Sequence, residues 1–171
     1  MKKLICMVLS LALLAGVMAG CSGSKKTSLA DPLTTVIDNI YAQKSVEFMV
    51  GTLEIDITDT EWQLPSYTGL ASGGSVKEAV ASEAMIGSIA YSLVLVRLNE
   101  GADAKTVAQQ MKDGIDTRKW ICVEADDLKV AGYCDVVMLV MVSSEYAESV
   151  TAQQMVDAFQ TVCGAELDFV I

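Results

Sequence analysis

The sequence predicts an α+β domain, an antiparallel or mixed sheet of about four to five strands packed by helices. Three observations predict it. Residues 88–98 and 136–142 are apolar at nearly every position, which marks strands covered on both faces. Apolar stripes at helical spacing recur between them, each bounded by capping residues. The two kinds of segment do not alternate strictly, because a hairpin interrupts the order, and that favours an α+β layer over a wound parallel sheet.

The chain opens with Met1-Lys2-Lys3, an apolar run over 4–15, and small residues ending in Ala19-Gly20-Cys21. Basic, apolar and small, in that order, is a secretory signal. A cysteine directly after Ala-Gly makes it similar to a lipobox, so 1–20 is expected to be a lipoprotein signal peptide and Cys21 the lipidated residue. The apolar run is shorter than the ~20 residues a spanning helix needs. Residues 21–30 read as a polar tether, and 31–171 as a single domain of ordinary size.

Within the domain, Asp31 is expected to cap a first helix with Pro32 at its first position and Leu33, Val36, Ile37 and Ile40 on one face. Residues 46–57 read as a strand whose apolar set changes phase at Gly51, the signature of a β-bulge. Residues 59–74 form the longest irregular stretch. Ser75-Val76-Lys77-Glu78 spells a capping box, predicting a helix to about Ile86 with Gly87 as its stop. A strand follows over 88–98, then a turn at Asn99-Glu100-Gly101 and a helix capped by Asp103 that buries Val107, Ala108, Met111 and Ile115. Residues 119–123 suggest a short strand, and 128–131 with 136–142 a hairpin turning at Gly132-Tyr133. Thr151 to Gln154 is another capping box, opening a helix that Gly164 ends. Leu167, Phe169 and Ile171 alternate in a terminal strand. Strand, helix and hairpin in succession suggest a split βαβ part.

Met85 to Ser88, 91–97, 101–104, 118–123 and 135–141 together resemble a family of small bacterial lipoproteins whose conserved domain has no known function. The resemblance covers about 75–164 and rests on core strands and turns. It implies a fold and a lipid anchor, and it carries no catalytic or binding residue. Cys134 stands where a glycine is expected before the aspartate.

Charge and composition exclude several classes. The chain has 12 Lys+Arg and 22 Asp+Glu; Lys2 and Lys3 belong to the signal, leaving 10 against 22, a balance of −12. Such a surface disfavours nucleic acid. The absence of histidine removes Ser-His-Asp and Cys-His catalysis in their usual form. Neither a G-x-S-x-G elbow nor a Gly-rich phosphate loop is present. Of five cysteines, Cys6 lies in the signal and Cys21 takes the lipid. Cys122 and Cys163 read as small buried hydrophobes, and the spacing does not demand a Cys122–Cys134 bond.

The candidate binding residues are Trp62 and Tyr67 on the long irregular stretch, and Arg118 and Trp120. Glu54, Asp56, Asp59 and Glu61 are the candidates for a hard cation, although they match no regular calcium loop and a solvated acidic face is the simpler account. No catalytic residue and no cofactor are indicated. The expectation is a non-catalytic binding or interaction domain, lipid-anchored on the extracytoplasmic face of a cell membrane (the outer one where the cell has two), with an envelope protein or peptide as partner. A carboxylate-dependent hydrolase on the same anchor and a structural, self-associating envelope subunit are the alternatives.

Overall fold

The structure, a computed structural model, describes residues 26–171. The expected signal peptide 1–20 and the expected lipidation site Cys21 lie outside the described residues. Among the described residues the fold is α+β, with one six-stranded antiparallel sheet and four α-helices. In chain order the elements are α1 (Leu33–Gln43), β1 (Val50–Glu54), α2 (Gln63–Thr68), β2 (Val76–Ala84), β3 (Tyr91–Leu98), α3 (Ala104–Gly114), β4 (Asp127–Tyr133), β5 (Val136–Val142), a 3-10 turn (Ser144–Tyr146), α4 (Ala152–Cys163) and β6 (Phe169–Val170). The strands lie in the order β1-β2-β3-β5-β4-β6, each antiparallel to its neighbours. Strands β3 and β4 are therefore parallel, joined by α3 with β5 between them, which is the expected split βαβ unit.

Helices cover both faces of the sheet. On one face, Leu33, Val36, Ile37 and Ile40 of α1 and Met155, Val156 and Phe159 of α4 pack on Leu93 and Leu95 of β3 and on Met138 and Val140 of β5. On the other, Leu64 of α2 and Val107, Ala108 and Met111 of α3 pack on Val94, Val96, Leu139 and Met141. Every residue of β3 and β5 is buried, as their unbroken apolar runs require. Buried hydroxyls find partners: Tyr41 Oη lies 2.9 Å from Ser82 Oγ and 3.2 Å from Tyr91 Oη.

Several expectations need correction. The segment with the capping-box spelling is strand β2. It pairs on both sides, with β1 and β3, and those two ladders outweigh the helix preference of its alanines and glutamates. Glu78 receives Arg97 instead of capping a backbone amide. The strand expected over 46–57 is only Val50–Glu54, and its pairing with β2 runs through Gly51 without a bulge. The change of phase arises because Phe48 and Val50 face the α1/α4 side, whereas Leu53, Ile55 and Ile57 face the α2/α3 side. Pro32, not Asp31, is the residue preceding the first turn of α1; its carbonyl accepts from Val36 N at 3.1 Å. Residues 119–123 form no strand. The hairpin closes at Tyr133↔Val136, so its turn is Cys134-Asp135, and Cys134 takes the φ of 52° that favours the glycine expected there. The short helix α2 occupies part of the stretch expected to be irregular. Asp103, Thr151 and Gly164 act as caps as expected.

The ends of α2 and α3 are locked at one close contact. Gly69 has a φ of 76°, and a Cβ on Gly114 would lie 2.1 Å from the Gly69 carbonyl oxygen. Only glycines allow that approach.

Candidate functional site: a caged lysine and an apolar rim at one end of the sheet

Val50, Ala84, Tyr91, Val142 and Asp127 mark one end of the sheet, called here the far end. Near it, Glu83 of β2 sits opposite Ser92 of β3. Ser92 Oγ donates to Glu83 Oε1 at 2.8 Å. The loop 115–126, which joins α3 to β4, lays Lys119 across the same carboxylate, with Nζ 2.5 Å from Glu83 Oε1 and 3.0 Å from the Ser66 carbonyl of α2. The ammonium lies 5.0 Å from the ring centre of Tyr67 and 5.3 Å from that of Trp120, a cation–π cage. Trp62 meets Tyr67 edge-on at 6.1 Å. Burial pushes the Lys119 pKa below the ordinary lysine value, and Glu83 pulls it back up.

Of the four binding residues expected from the sequence, Tyr67 and Trp120 therefore meet at one half-buried ammonium, and Trp62 joins them only through Tyr67. Arg118 does not join them. It is exposed, 3.4 Å from Glu124, and borders an adjoining cleft of about 470 Å³. Trp120, Cys122, Asp126 and Ser144 also line that cleft. Asp126 accepts from both the Ser144 amide and hydroxyl at 2.6 Å, and these bonds hold its carboxyl below the usual carboxylate range. Lys119, Glu83 and Ser92 were not singled out from the sequence. With 75–86 read as a helix, nothing placed Glu83 opposite Ser92; a strand reading would have.

An apolar rim surrounds this end. Of the large hydrophobic residues exposed among the described residues, Met49, Trp62, Met85, Ile86 and Ile121 lie here, whereas Val170 lies apart on β6, opposite Ala131. Met49, Met85 and Ile86 lie just beyond the ends of β1 and β2, with Met85 N bonded to the Met49 carbonyl. Ile121, 80% exposed, stands on the loop that carries Lys119. Trp62 reaches the group through Tyr67.

The remaining candidates are placed differently. Asp56 accepts from the Thr58 amide and hydroxyl, bonds that lower its pKa, and Asp59 accepts from Trp62 N. Glu54 and Glu61 are exposed. Among the described residues, no group of three or more acidic, cysteine or histidine side chains is arranged to hold a metal ion. Cys122 is exposed, not buried, because its segment forms an outward turn with a φ of 63° at Cys122. Cys122 and Cys134 lie beyond opposite ends of β4, about 20 Å apart along a strand of this length, so they do not pair. Cys134 and Cys163 are half-buried free thiols, and burial pushes the Cys163 thiol up to about 12.

No family model, curated protein or solved structure matches this chain. Among the described residues, no helix is long and apolar enough to cross a membrane.

Proposed function

We propose that this protein is a lipid-anchored, extracytoplasmic interaction domain of a bacterial envelope that binds a protein or peptide partner at the far end of its sheet. The observation that carries this reading is the placement of exposed Met49, Met85, Ile86 and Ile121 at one end, beside a cleft and the Tyr67 and Trp120 rings over Lys119, with Trp62 against Tyr67. Apolar residues grouped beside aromatic anchors are what protein interfaces use. The polar groups beneath them are committed to one another: Ser92 is fully buried and donates to Glu83, and Glu83 is shared with Lys119. That arrangement stiffens a contact surface. The anchor follows from the order of residues 1–21, and the family resemblance agrees with it.

The test is site-specific photo-cross-linking in intact cells. A cross-linker at Ile121 or Met85 is expected to give one discrete adduct, and one at Gln109, on the exposed side of α3, none. Equal labelling from all three positions sinks the proposal. Substituting Cys21→Ala is expected to leave uncleaved, unacylated precursor; processed, membrane-bound protein from that variant removes the anchor from the reading.

A further inference from the structure

The stretch expected to be a free tether is laid on the domain from Lys26 onward, at the end of the sheet opposite the apolar rim. Arg97, near the end of β3, has a side chain only 8% exposed. Its guanidinium donates to the carbonyls of Leu29 and Asp31, the latter at 2.7 Å, and to Glu78 at 2.6 Å, with Asp135 at 3.9 Å. Ser28 Oγ donates to Asp135 of the β4–β5 turn. Lys26 Nζ is 2.6 Å from Asp168 and lies over the Tyr133 ring. Leu29, half-buried, packs against the core on the α1/α4 face. A fork of donors on a rigid strand thus grips the backbone of the leader.

The leader's fixed point is therefore close to the proposed lipid. From Cys21 to Lys26 there are five peptide steps, at most about 18 Å of chain even when extended. The seven-residue strands between the two ends span about 20 Å. An acyl anchor at Cys21 cannot reach round to the far end. Lys26 and Arg97 offset part of the charge of Asp168, Asp135 and Glu78 at this end, two cations against three carboxylates.

We infer that the leader end of the sheet (the Arg97 clasp, the β4–β5 turn and the β3–α3 turn) faces the bilayer that holds the anchor, so that the apolar rim is presented away from the membrane. This rests on the lipid anchor proposed above. The acylated full-length chain, reconstituted in phosphatidylethanolamine–phosphatidylglycerol vesicles with an acceptor dye in the lipid, tests it. One donor is placed on native Cys122 at the far end. The other is placed on Glu100→Cys in the turn at the leader end, with Cys122→Ser. Both carry Cys134→Gly and Cys163→Ala. Energy transfer from the leader-end donor is expected to exceed that from Cys122 by about twofold or more, given a height difference of about 20 Å. Equal transfer, or more from Cys122, in protein that floats with the vesicles overturns the orientation and leaves the anchor standing; protein that does not float overturns both. Inserting about twelve Gly/Ser residues after Ser24 keeps the clasp and is expected to erase the difference. A difference that survives the insertion overturns the short leader as its cause.

Discussion

The two ends of the sheet are each closed by a cation paired with a glutamate of β2, Arg97 with Glu78 at the leader end and Lys119 with Glu83 at the far end. The chemistry is the same and the mechanics are reversed. Arg97 belongs to a central strand and reaches out to hold an irregular segment, so the strand is the clamp. Lys119 belongs to the irregular segment and reaches in, so the loop holds itself down through its own side chain. Exposure differs too. Glu78 is 43% exposed and Glu83 20%. Water can replace Arg97 around Glu78 far more easily than it can replace Lys119 under two aromatic rings. The far end, which carries the apolar rim, therefore depends on one buried pair, whereas the leader end shares its load among several partly hydrated groups.

The largest expected effect follows from that contrast. Lys119→Met leaves the half-buried Glu83 without a cation, and the loss in unfolding free energy is expected to be about 3 kcal/mol. Equilibrium denaturation measures it, and Glu83→Gln added to the same chain should restore most of the loss. A Lys119→Met variant as stable as the parent would show that the pair does not close the far end. Arg97→Met is expected to cost less, about 2 kcal/mol, because the groups it leaves behind can hydrate. Limited proteolysis should also begin in 26–31 for that variant alone. A cost above that of Lys119→Met would reverse the ranking of the two ends.

How much of this was legible depended on which signal governed each segment. Where burial periodicity was strong, as in α1, α3, α4, β3 and β5, pattern alone identified the element. It failed at β2, where Ser75-Val76-Lys77-Glu78 and the alanines after it are locally helical and only pairing with β1 and β3 makes them a strand. Neither ladder is visible in a local window. The site was half legible for the same reason. Trp62, Tyr67 and Trp120 stand out by residue type, but the centre that Tyr67 and Trp120 share, Lys119 on Glu83, exists only because a loop crosses the end of β2. The docked leader had no local signal, since Ser28 and Leu29 become anchored only by Arg97 and Asp135, 68 and 107 residues away.

The lock between α2 and α3 bears on the same contrast, because α2 supplies Ser66 and Tyr67 to the lysine cage. Gly114→Ala drives a methyl group into the Gly69 carbonyl, 2.1 Å from where the Cβ would sit. The expected cost is about 1.5 kcal/mol, measured by thermal unfolding. The intrinsic fluorescence of Trp62 and Trp120 should shift in the folded state of that variant and not in Arg97→Met. A spectral change in Arg97→Met instead would mean that the two ends are mechanically coupled through the sheet.

The smallest effect is one of pH and salt, and it separates the ends by the kind of partner each carboxylate has. At the far end Asp126 is held below its ordinary value by the hydroxyl and amide of Ser144. At the leader end burial raises the pKa of Asp168, but Lys26 and the Cys134 amide outweigh it, and the net shift is again downward. A carboxyl whose folded value is depressed stabilises the fold above its unfolded value, near 3.8. That contribution disappears as pH falls through the folded value. Asp126→Asn and Asp168→Asn should therefore each lie below the parent in stability at pH 7, and both gaps should close as pH falls below about 3.8. Salt distinguishes them. Asp168 faces a cation and Asp126 neutral donors, so raising ionic strength at pH 7 should narrow the Asp168→Asn gap and leave that of Asp126→Asn unchanged. If both gaps respond alike to salt, Lys26 is not what holds Asp168, and the leader is docked by Arg97 and Ser28 alone.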